Sequence, residues 1–73
     1  MQIIVKWRGK QPENANDLAN EWLKTEQADF LFTEAYKVAK LSEENISKTI
    51  VILDYKEKEI VPVLINFIPK NKV

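Results

Sequence analysis

The stretch from Lys48 to Pro69 constrains this chain more than any other. Two β-branched apolar runs, Lys-Thr-Ile-Val-Ile-Leu-Asp-Tyr and Ile-Val-Pro-Val-Leu-Ile-Asn-Phe-Ile-Pro, are joined by Lys-Glu-Lys-Glu. That is the pattern of an antiparallel β-hairpin. With Glu57 and Lys58 as the loop and Lys56 opposite Glu59, Asp54 faces Val61, Ile52 faces Val63, Ile50 faces Ile65 and Lys48 faces Phe67. Side chains alternate along a strand, so these residues share one side. The other side carries Val51, Leu53 and Tyr55 opposite Leu64, Pro62 and Ile60, with Thr49 opposite Asn66. Neither side is polar. Glu-Lys lacks the Asn-Gly character of tight hairpin turns, so a one-residue slip stays open; it would exchange the two sets without making either hydrophilic. A hairpin with one wetted face alternates apolar with polar residues. This one needs cover on both.

Size sharpens that demand. The chain has 73 residues, 45% of them hydrophobic, which suits one domain over residues 1–73 with a single core. So small a domain gains little surplus from burial over the cost of ordering its backbone. An apolar sheet face left in water costs it both stability and solubility.

The remaining composition narrows the chemistry. There is no cysteine and no histidine, which removes disulfides, thiolate metal sites and the usual proton carrier near neutral pH. One glycine rules out a phosphate-cradling loop, no metal-ligand spacing occurs, and no cofactor is expected. Eleven basic residues balance eleven acidic ones, which argues against binding nucleic acid or membrane through bulk charge. No apolar run reaches the roughly 18 residues of a membrane span. Met-Gln-Ile-Ile-Val-Lys-Trp lacks the marks of a signal peptide, and a cytoplasmic location follows as the expectation. Abundant Lys, Ile and Asn hint at an AT-rich bacterial or phage genome.

Along the chain, residues 2–8 alternate as a strand, with Ile3, Val5 and Trp7 on one side and Ile4, Lys6 and Arg8 on the other. One apolar side suits a sheet edge, and Gly9 permits the turn that ends the strand. Asn14 is placed to cap a helix over about residues 13–25, with Asp17 near its free amides. Ala15, Leu18, Ala19, Trp22 and Leu23 form that helix's apolar stripe. Residues 28–41 read as a second helix, with acids early and lysines late; as a strand they would align Phe30, Phe32, Tyr36 and Val38. Ser42 to Asn45 is a polar connection, and the tail from Lys70 to Val73 is expected to fray. The fold class is therefore α+β, a β-α-α-β-β domain whose C-terminal hairpin belongs to a three-stranded sheet, with an amphipathic helix packed on it. The alternative order is β-α-β-β-β.

The first helix is expected to cover the face bearing Ile50, Ile52, Val61, Val63, Ile65 and Phe67. If the second helix lies beside it, the reverse face, with Val51, Leu53, Tyr55, Ile60 and Leu64, stays bare and needs a protein partner. A second copy is the simplest one, because a two-fold axis lets an apolar patch cover its twin. Catalysis has little to draw on, and no enzyme is expected. Asp54 is the one carboxylate near an apolar strand, and it reads as a solvated residue at the charged end of the hairpin. Lys6, Arg8 and Lys10 form a basic row that could track a phosphate backbone. Trp7 points away from that row, toward the helix, and charges on an edge strand also block sheet-to-sheet aggregation. Trp22, Phe30, Phe32 and Tyr36 read as core.

Overall fold

The computed structural model describes residues 2–70. Strand β1 (Gln2–Arg8) is followed by helices α1 (Ala15–Leu23) and α2 (Glu26–Ala39). A single 3₁₀ turn (Glu43–Asn45) leads into strands β2 (Ile46–Lys56) and β3 (Glu59–Pro69). The sheet order is β1-β2-β3, with β1 parallel to β2 and β2 antiparallel to β3. The β-α-α-β-β order is the one the sequence predicts, and the middle segment is a helix rather than a fourth strand.

The two helices meet at Thr25. Its backbone is extended, and its hydroxyl accepts from the Ala28 N–H at 3.2 Å and donates to the Trp22 carbonyl at 2.6 Å. One side chain thus closes α1 and caps α2. Asn14 does hold the N-cap position of α1, but its side chain makes no capping bond. Helix α2 ends where Lys40 turns left-handed, with φ of 57°. There the N–H groups of Lys40 and Leu41 reach back to the carbonyls of Lys37 and Tyr36, which satisfies the last turn. Lys70, the first residue of the tail expected to fray, donates its N–H to the Asn45 carbonyl at 3.0 Å; the rest of that tail lies outside the described residues.

Both helices lie on the same side of the sheet. Ala19, Trp22 and Ala28 pack on Val51 and Leu53, with Val5, Trp7, Leu31, Phe32, Ile60 and Ile65 around them. Central strand β2 is the most enclosed, and Thr49, Val51 and Leu53 have no exposed surface. Trp7 meets Tyr55 edge to face at 6.5 Å, and Tyr36 of α2 stacks on Phe67 of β3 at 4.9 Å.

Two expectations are corrected here. The covered face is the one bearing Val51 and Leu53, not the one bearing Ile50 and Ile52. Strand β1 decides this, because its register places Val5 beside Val51 and Trp7 beside Leu53, while Lys6 falls beside Ile52 and Arg8 beside Asp54. Burying the first pair of rows is favourable, whereas burying the second would strip water from two cations. The hairpin register also slips twice, between Leu53 and Ile52 and again between Lys48 and Ile46. Lys56 pairs with Glu59 and Asp54 with Val61 as expected, but Ile52 pairs with Leu64, Ile50 with Asn66 and Lys48 with Ile68. An extra residue, Val63, enters β3 between the partners of Leu53 and Ile52, next to Pro62, which has no N–H for the ladder. That bulge turns Ile65 and Phe67 toward the helices and leaves Leu64 on the other face.

Candidate functional site

The face of the sheet opposite the helices is uncovered. Its rows follow from the register: Gln2, Lys48, Ile68; Ile4, Ile50, Asn66; Lys6, Ile52, Leu64; Arg8, Asp54, Val61; and, at the hairpin tip, Lys56 beside Glu59. Apolar side chains fill the middle of β2 and run along β3. Leu64 is 51% exposed, Val61 42% and Ile68 37%, while Ile4, Ile50 and Ile52 are half-buried among their neighbours. Cations border this strip: Lys6 and Arg8 along β1, Lys48 and Lys56 toward the two ends of β2.

Among the described residues, Asp54 is the one enclosed charge on this face, at 8% exposure. The Arg8 guanidinium donates to its Oδ2 at 2.8 Å, the Lys56 ammonium lies 3.7 Å away, and the Tyr55 N–H donates to its Oδ1 at 3.0 Å. The hydrogen bond from Arg8 holds the Asp54 carboxyl below its ordinary range against the opposing effect of desolvation; the charges of Arg8 and Lys56 and the Tyr55 N–H add to it. The solvated residue expected at position 54 is thus a buried, ionised anchor between β1 and β2. The signal was present in the sequence, since Arg8 and Asp54 are the matching charges of two strands. What was missing was the parallel register that joins them.

The residues singled out as a binding face are divided. Val51 and Leu53 lie in the core, Tyr55 and Ile60 are half-buried beneath the helical side, and Leu64 alone belongs to the open face. The basic row is divided too. Lys6 and Arg8 share the open face, but Gly9 takes a φ of 78° and turns the chain. Lys10 ends in a depression beside Leu18 of α1 and Tyr55, on the helical side. Among the described residues, Lys6 and Lys48 have no carboxylate within ion-pair distance.

A second apolar feature lies along the outer edge of β3, where Leu31, Ala35, Val38 and Leu41 face Pro62 to Phe67 across an open groove. Tyr36 stacks on Phe67 nearby. Burial, and then the charge of Glu43, push the Tyr36 phenol up from its ordinary value, so the ring stays neutral in that stack. Among the described residues, no group of three or more acidic side chains is placed to hold a metal ion, and no helix is long and apolar enough to cross a membrane.

Charge is segregated by layer, which a whole-chain count conceals. Residues 11–45, which include both helices, contain eight carboxylates and three lysines. Residues 2–10 and 46–70, which include the strands, contain three carboxylates and seven basic residues. The balanced total is therefore a basic sheet layer set against an acidic helical one. Family models, curated proteins and solved structures all give no match to this chain.

Proposed function

We propose that this chain is a small cytoplasmic protein-interaction module, acting by regulatory or inhibitory occupancy rather than by catalysis, and that it binds through the open sheet face. The observation that carries this reading is the strip of Ile4, Ile50, Ile52, Leu64, Val61 and Ile68, left uncovered because both helices lie on the other side. Fully covering an aliphatic side chain contributes about 1.5–3 kcal/mol. Covering what is still exposed on the residues of this strip would favour association. Self-association is the form that needs no other protein, and the mass in solution tests it: a single-chain mass at micromolar concentration removes it.

Leu64→Lys tests the face itself. It places a charge at the most exposed point of the strip, away from the core, and should weaken association at least tenfold while the helical circular-dichroism signal is unchanged. Association that survives the substitution would move the site elsewhere.

A second reading, nucleic-acid binding, draws on Lys6 and Lys48, which have no ion partner among the described residues. It has cations for phosphates, but every aromatic ring lies off this face, so bases would find nothing to stack on. It predicts binding that falls steeply with salt. No binding of single- or double-stranded oligonucleotides at low salt removes it.

A further inference from the structure

We infer that the open face is built for an acidic amphipathic helix of a different protein, an inference that rests on reading this face as a binding surface. Charge is the first ground. Among the described residues the face holds four cations, Lys6, Arg8, Lys48 and Lys56, and two carboxylates, Asp54 and Glu59, with Asp54 already engaged by Arg8 and Lys56. Stacking the face on its twin doubles that imbalance inside a water-poor interface, which opposes a second copy. A partner bearing carboxylates reverses the sign of the same interaction.

The layout of the charges sets the partner's shape. The apolar residues run along β2 and β3, while Lys6 and Arg8 lie to one side on β1. These two are alternate residues of one strand, so they are separated by roughly 6.5–7 Å. Helix residues four apart rise about 6 Å. A helix laid along the strip with its apolar stripe inward would therefore place carboxylates at i and i+4 over Lys6 and Arg8. Lys48, with no ion partner among the described residues, would meet a further carboxylate toward one helix end. The molecule's own α1 and α2 already solve the same problem on the reverse face, with an apolar side inward and acids outward.

Area sets the strength. Three strands of up to 11 residues present roughly 500 Å² in plan, against about 800 Å² per partner in a standard stable complex. That places the contact among the smaller interfaces, where transient complexes sit.

The test titrates the full chain with two 18-residue helical peptides that share one leucine stripe, one flanked by glutamates and the other by lysines. The acidic peptide should bind at least tenfold tighter, lose about tenfold with Lys6→Glu, and be lost with Leu64→Lys. Equal affinity for both peptides overturns the charge selection while leaving the face reading intact. An acidic preference unchanged by Lys6→Glu and Leu64→Lys overturns both, because the site then lies elsewhere. Binding of neither peptide at millimolar concentration overturns the inference, as does a dimer whose interface is broken by Leu64→Lys, since a second copy is then the occupant. Capture by anionic vesicles or oligonucleotides in place of the peptide, with the same Lys6 dependence, assigns the face to phosphate and also overturns it.

Discussion

Asp54 ties the first strand to the second, and its protonation state sets what that tie contributes. Arg8, Lys56 and the Tyr55 N–H all favour the carboxylate, so the folded protein binds this proton less readily than the unfolded chain does. A depressed folded pKa gives stability that is present above the unfolded value, about 3.9, and is lost as pH falls through the lower folded value. Asp54→Asn should therefore destabilise the protein at neutral pH and flatten the acid limb of its stability profile below about pH 4. Urea midpoints at pH 7, 4 and 3 read this directly. Parallel losses in both proteins across that window would show that the ion pair contributes nothing to folding. Arg8 is the exposed member of the pair, with 58% of its side chain open against 11% for Asp54. A binding partner thus meets the guanidinium, not the acid.

The hairpin turn carries strain that its sequence did not have to accept. Glu57 and Lys58 both adopt positive φ, 51° and 64°, as the two-residue turn that matches strand twist requires. Left-handed backbone costs a non-glycine residue roughly 1 kcal/mol. Replacing the pair by Asn-Gly should raise stability by about 1 kcal/mol, a gain of about 4–8 °C in Tm for a domain of this size. An unchanged or lowered Tm would place the strain elsewhere. The loop position was readable from Lys-Glu-Lys-Glu between two apolar runs, the first helix from its apolar spacing, and the second, against a strand alternative, from its early acids and late lysines. Helix α1 is shorter than expected and α2 begins earlier, because Thr25, which the helical periodicity assigns to the end of α1, instead caps its successor. The bulge at Val63 was not legible: Pro62 marks a weak point in the ladder without saying on which side of it the extra residue enters. The covered face was not legible from the hairpin alone either, since both of its sides are apolar. Only the pairing of β1, whose Lys6 and Arg8 resist burial, breaks that tie. The candidate site inherits the consequence, and of the five residues first assigned to it only Leu64 lies on the open surface.

At the scale of the whole molecule, the layered charge gives a neutral chain a basic side and an acidic side, which orients any charged partner before contact. The seam between β1 and β2 has a different consequence. Hairpin partners such as Lys56 and Glu59 are near neighbours in the chain, whereas Arg8 and Asp54 are 46 residues apart. Closing so long a loop is entropically costly and is repaid only once both helices are in place. The first strand is therefore expected to dock last and detach first. Native-state hydrogen exchange should find the β1 amides opening in a partial unfolding that leaves the β2–β3 amides protected. Equal exchange free energies for all three strands would mean that the sheet opens as one unit. With β1 detached, Lys6 and Arg8 leave together and Asp54 loses its strongest partner, so a ligand gripping those two cations would act as a latch on the seam between β1 and β2.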